Sequence, residues 1–102
     1  MNDKTIYIAG KITDNPNYQD DFANAVLTLK EMGYTHIINP CCLSHLNLRY
    51  EQYMIITFGM IDASDEVFLL SNWEDSNGAK REYLYAVSQM KTIIRQEEVD
   101  MC

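Results

Sequence analysis

A chain of 102 residues, 47% hydrophobic and 23% charged, has the make-up of one globular domain spanning residues 1–102, not of a disordered chain. Its net charge of −7 opposes contact with a phosphate polymer, so no nucleic-acid partner is expected. A single small anion held in a local pocket remains compatible with that charge. No apolar run approaches the roughly 20 residues that span a bilayer, so no membrane is expected either. Met1-Asn2-Asp3-Lys4 leads straight into an apolar run, without the parts of a signal peptide. Three cysteines, two of them adjacent (Cys41 and Cys42), cannot build a disulfide framework. A reducing, cytoplasmic setting is the expectation.

Thr5-Ile6-Tyr7-Ile8-Ala9, stopped by Gly10, reads as a buried strand. A polar loop over 11–17 precedes a helix that Asn17 is placed to cap. Its apolar positions Phe22, Val26 and Leu29 recur at helical spacing, and Gly33 ends it. Thr35-His36-Ile37-Ile38 reads as a second strand closed by Asn39-Pro40. The next helix is predicted over 48–63, with Tyr50, Met54, Phe58 and Ile61 on one stripe and Gly59 weakening it. Glu66 to Leu70 is a third strand. A loop over 71–77 leads to a helix over 78–90 that carries Ala79, Tyr83, Ala86, Val87 and Met90 inward. Lys91 to Arg95 is a fourth strand, and residues 96–102 read as a frayed tail.

Strands alternating with helices imply a parallel sheet with right-handed crossovers: an α/β, Rossmann-like domain of three layers. The expected strand order is 2-1-3-4. Ligands of such sheets bind outside the carboxyl ends of the strands, where the order reverses. The candidates therefore lie in the loops after Ala9, Ile38 and Leu70.

Gly10-Lys11-Ile12-Thr13 offers close backbone approach, a cation and a hydroxyl, suited to a phosphate or sugar; alternatively Gly10 serves a tight turn with positive φ. Ser76-Asn77-Gly78 opens a helix, where amides and the helix dipole favour an anion; alternatively Ser76 or Asn77 only caps it. Glu82, one turn further on, can act as nucleophile or base, or sit solvated beside Lys80 or Arg81. Tyr7 can orient that carboxylate, or be a core tyrosine. Cys41-Cys42-x-x-His45 lacks the spacing of a zinc site, so no metal is expected, and no cofactor motif is present.

Taken together, Tyr7-Ile8-Ala9-Gly10, Asn39-Pro40, Asp65 and Trp73-Glu74-x-Ser76-x-Gly78-Ala79-x-x-Glu82 resemble the nucleoside 2-deoxyribosyltransferase-like proteins. The likeness runs over about residues 5–95 and is nearest to a short branch of unknown function found in bacteria and phages. It implies a pocket for a nucleoside or nucleotide and an N-glycosidase or transferase chemistry. Glu82 would attack the anomeric carbon, with Tyr7 orienting it. Ser76 and Gly78 would meet the sugar or phosphate, and the loop from Gly10 to Thr13 the 5′-phosphate. Asn39, Thr57 and Trp73 complete the implied binding set.

Two departures stand out. The aspartate that active members carry eight residues before the position of Asp65 is Thr57 here, and Asp62 lies about 140° round the helix from it. Against the resembled longer enzymes, no counterpart of their fifth strand is expected in residues 96–102. The resemblance implies a homodimer or larger oligomer that completes the pocket, and Tyr50, Tyr53, Met54 and Met60 point to an apolar interface. Two functions stay open: slow cleavage through Glu82, which Thr57→Asp would accelerate, or sequestration of a nucleotide without turnover. A vestigial pocket on a scaffold is the third.

Overall fold

The computed structural model describes residues 2–100. Strand β1 (Asn2–Ala9) leads to helix α1 (Tyr18–Glu31), strand β2 (Tyr34–Ile38) and helix α2 (Tyr50–Asp62). Strand β3 (Glu66–Leu69), helix α3 (Asn77–Ser88), strand β4 (Thr92–Arg95) and a short helix α4 (Gln96–Asp100) complete the chain. Short 3₁₀ turns occupy Pro40–His45 and Trp73–Asp75. All neighbouring strands pair in parallel, in the order β2-β1-β3-β4. The α/β architecture is the one expected.

Side chains alternate across a strand, and here each face has its own core. Ile6, Ile8, Phe68 and Leu70 pack against Phe22, Ala25 and Leu29 of α1. Tyr7, Ala9, Val67 and Leu69 face Ile61 of α2 and Ala86 of α3 on the other side. The continuous apolar runs of β1 and β3 are thus explained, since both faces are covered. The strand order reverses between β1 and β3, so the cleft above their carboxyl ends is where a ligand belongs.

Local details differ from the sequence reading in four places. Asn17 stands at the start of α1, but its side chain makes no cap. Asn15 organises that turn instead, donating to the Lys11 carbonyl (2.9 Å) and to Asp21 (3.0 Å) and accepting from the Asn17 amide (3.1 Å). On α2 the buried stripe is Met54, Thr57 and Ile61, while Tyr50 remains 47% exposed. On α3 it is Ala79, Glu82 and Ala86. Val87 is 48% exposed, and Met90, past the helix end at φ 60°, is 92% exposed. Residues 96–100 form α4 where fraying was expected, because the Gln96 side chain accepts from the Ser71 amide (2.9 Å) and Val99 packs on the α1-side core. The rest of that tail, residues 101–102, lies outside the described residues.

Candidate active site

A cleft of about 890 Å³ opens at the carboxyl ends of β1 and β3. One wall is the loop from Gly10 to Asp14, another is the start of α3, and the third is the segment 43–48 with Tyr50 and Tyr53. Glu82 is part of its lining.

Gly10 makes the first wall lie close to β3. A Cβ built there would meet Leu70 Cδ1 at 2.5 Å and Leu70 Cβ at 2.9 Å. Its φ is not in the left-handed region; among the described glycines only Gly33 is, at 98°. Close packing therefore requires this glycine, not a positive-φ turn. The Lys11 amide donates to the Asn72 side chain (3.1 Å), which ties the first loop to the third. That amide is used within the protein, leaving the Lys11 ammonium as the group available to an anion.

Ser76 caps α3, its Oγ accepting from the Ala79 amide at 3.1 Å. The cap reading and the cleft position hold together, because the first turn of the helix lines the cleft. Gly78 has ordinary room around it, with Met54 Sδ 3.6 Å from a built Cβ.

Glu82 sits one turn into α3 and is only 4% exposed. The Tyr7 hydroxyl donates to its Oε2 at 2.7 Å. Burial pushes the Glu82 carboxyl from 4.5 up to about 7, and the hydrogen bond from Tyr7, with the neighbouring Thr57 hydroxyl, partly opposes that rise. Burial, followed by the charge of Glu82, holds the Tyr7 phenol well above its ordinary value, so Tyr7 stays a donor. A carboxylate fixed in direction and poised near neutrality lies at the edge of a cleft. Such a group is competent as a nucleophile or a base.

Comparison with known proteins places the chain. The family described as Domain of unknown function (DUF4406) matches residues 4–95. The chain belongs to that family. Among solved structures, this DUF4406 chain is similar to a 2-desoxiribosyltransferase from Leishmania mexicana, with 24% identity and a TM-score of 0.67. The match covers 90% of this chain and 63% of that one, so the DUF4406 chain spans less than two thirds of its length. The likeness establishes a shared fold, the deoxyribosyltransferase-like α/β fold that the motifs implied. A comparison with curated proteins found no match.

Not every residue expected at the site of this DUF4406 chain reaches it. Gly10, Lys11, Ile12, Thr13, Ser76, Gly78 and Glu82 line the cleft; Asn39, Thr57 and Trp73 do not. Tyr7 stands behind Glu82, fully buried. The Asn39 side chain accepts from the Cys41 amide (3.0 Å) and so caps the 3₁₀ turn after β2. Trp73 packs on Tyr83 with centroids 4.8 Å apart, and the Arg95 guanidinium lies 5.5 Å from both rings. Thr57 is fully buried and donates to the Met54 carbonyl at 3.2 Å.

Residues not expected at the site also line the cleft. Tyr50, Tyr53 and the leucines 43, 46 and 48 line the cleft, although the sequence placed the tyrosines in an apolar stripe or interface. Met54 is buried in the fold and so cannot contribute to such an interface, while Met60 is partly buried against the core. His45 reaches the cleft, while the Cys41 thiol is pushed up to about 11, first by burial and then by Cys42. Among the described residues no three His, Cys, Asp or Glu side chains gather as metal ligands, and no helix is long and apolar enough to cross a membrane.

Proposed function

We propose that this chain holds a 2′-deoxynucleoside or its 5′-monophosphate in the cleft and slowly cleaves the N-glycosidic bond through Glu82. The observation that carries the reading is the 2.7 Å hydrogen bond from Tyr7 to Glu82 Oε2 at the cleft lining. With Oε2 held, Oε1 attacks the anomeric carbon. The bond to the base breaks, its electron pair leaves with the base, and water supplies the base with a proton. A second water, giving its proton to the hydroxide left by the first, then attacks the anomeric carbon, breaks its bond to Oε1, frees the sugar and restores the carboxylate. The fold shared with a 2-desoxiribosyltransferase supports the same chemistry.

Electrostatics narrows the ligand. Lys11 and the amide end of α3 suit an anion. Asp14 and Asp75 line the same cleft and oppose a highly charged one. A neutral nucleoside or a monophosphate fits better than a triphosphate.

Sequestration without turnover is the second reading, favoured by Thr57, which puts a buried hydroxyl rather than a carboxylate behind Glu82. Glu82 then has no positioned acid to help the base depart, a loss typically worth about 10²–10⁴-fold in rate. We also take the chain to self-associate as a homodimer or larger assembly, through the outer surfaces of α2 and α3, where Ile55 is 70% and Leu84 65% exposed.

Incubation with the common 2′-deoxynucleosides and their 5′-monophosphates, followed by chromatography, tests both readings. Free base that disappears in Glu82→Gln supports cleavage. Intact ligand recovered from denatured protein, with no free base, supports sequestration. Neither release nor binding overturns both.

A further inference from the structure

Tyr53 lines the cleft beside Glu82, yet it has no place in the chemistry above. It stands one helical turn before Thr57 on α2, so the two share a face. Thr57 is sealed in the core, whereas Tyr53 is half-buried and reaches the ligand space. Among the described residues its hydroxyl makes no hydrogen bond, and it is not a buried polar atom left unsatisfied, so it is open to the cleft. Burial first, then the charges of Glu82, Cys41 and Cys42, keep its phenol protonated through the physiological range. Its phenol is thus within electrostatic reach of Glu82 and of the 3₁₀ turn after β2 that carries Cys41 and Cys42. The hydroxyl of Tyr50, by contrast, reaches the start of α3, 3.8 Å from a Cβ built on Gly78.

Three chain segments line the cleft with Glu82: the loop carrying Lys11, the start of α3, and the segment with Leu43, Leu46 and Tyr53. The first two supply the cation and the amides that suit a phosphate, so a nucleotide held at Glu82 and Lys11 has the third, with Tyr53, left to receive its base.

We infer that Tyr53 is the base-reading residue of this cleft, its unpartnered hydroxyl donating a hydrogen bond to a carbonyl oxygen or ring nitrogen of the bound base. This rests on the nucleotide reading above. It gives α2 a contact with the base that Thr57, one turn deeper, cannot make. The flat apolar face of the base packs on the leucines, and the one directional contact to its polar edge selects among bases.

The test is titration of wild-type and Tyr53→Phe protein with the four common 2′-deoxynucleoside 5′-monophosphates and with 2-deoxyribose 5-phosphate, which has no base. Tyr53→Phe is expected to weaken the best nucleotide by about three- to tenfold, the worth of one neutral hydrogen bond. It should compress the spread among the four nucleotides. Affinity for 2-deoxyribose 5-phosphate should stay unchanged. The melting temperature should not fall, because the hydroxyl has no protein partner to lose. Equal affinities of the two proteins for the nucleotides overturn the assignment of Tyr53 while leaving the nucleotide reading intact. An equal loss for the base-free sugar phosphate also overturns it. Failure of the wild-type protein to bind any of the nucleotides brings down the nucleotide reading and this inference together.

Discussion

Tyr7 on β1 and Glu82 on α3, 75 residues apart, meet in a 2.7 Å hydrogen bond that is buried on every side but the cleft. The phenol compensates one oxygen of a carboxyl that the fold has removed from water. The same contact restrains the rise of the carboxyl's proton affinity, because it favours the ionised form. Tyr7→Phe is expected to destabilise the fold by about 1–3 kcal/mol, the cost of leaving a buried acceptor unsatisfied. It should also move the ionisation of Glu82 above about 7. Urea unfolding measures the first effect, and the pH dependence of any base release measures the second. An unmoved pH profile would show that Tyr7 does not govern this carboxyl.

Stability should fall as pH rises through the titration of Glu82. The carboxyl binds its proton more tightly in the folded state, with its value raised from 4.5 to about 7. Below 4.5 both states are protonated and the penalty is absent. Between 4.5 and about 7 the unfolded chain ionises first, and folding becomes less favourable by roughly 3 kcal/mol in all. Above that range the loss is complete and constant. Glu82→Gln removes this dependence, so the variant should gain on the wild type between about pH 5 and about pH 8 in parallel urea titrations. A difference independent of pH would contradict the raised value.

Glu82→Gln should abolish base release while leaving much of the ligand affinity, since the amide keeps the shape of the carboxyl without its nucleophilic oxygen. In the wild type, release should increase with pH through about 7, as the carboxylate forms. Chromatography of reaction mixtures across pH checks both statements. Rapid release that survives Glu82→Gln would place the nucleophile elsewhere.

Thr57→Asp, which the sequence suggested as a gain of function, is now expected to do the reverse. The site is fully buried and outside the cleft. A carboxylate there lies against Glu82 and Tyr7 without a cation. An uncompensated buried charge costs about 3–5 kcal/mol, and a like charge makes Glu82 harder to ionise. Lower melting temperature and slower base release are the expected results. Faster release would show that position 57 does reach the substrate.

Gly10→Ala should destabilise the fold by about 1–3 kcal/mol through overpacking. The added methyl meets Leu70 Cδ1 at 2.5 Å, Cγ at 2.8 Å and Cβ at 2.9 Å, and rotation of the side chain cannot relieve the last. The penalty should shrink in a Leu70→Ala background, where two of those three atoms are gone. Additive losses in a double-mutant cycle would refute the contact as the cause.

The sequence by itself determined the elements and their order, because those depend on interactions within a few residues. The apolar runs through Ile6–Ala9 and Val67–Leu70 can only be strands covered on both faces. Gly33 ends α1 with a positive φ, and Ser76 caps α3 with a bond to the amide three residues on. Those signals are local, so they are legible. The tertiary structure decided which way the site residues point. Glu82 shares a helix with Lys80 and Arg81, and its charge alone would send it to solvent; it turns inward because Tyr7, on a strand 75 residues away, satisfies it. Trp73 and Asn39 carry the right letters at the right spacing but are captured by Tyr83, Arg95 and Cys41. Tyr53 and Thr57 lie on the same helical face, and the depth of α2 beside the cleft leaves one at its lining and the other in the core. Periodicity gives a face but no depth, because depth is set by the packing of distant elements against each other.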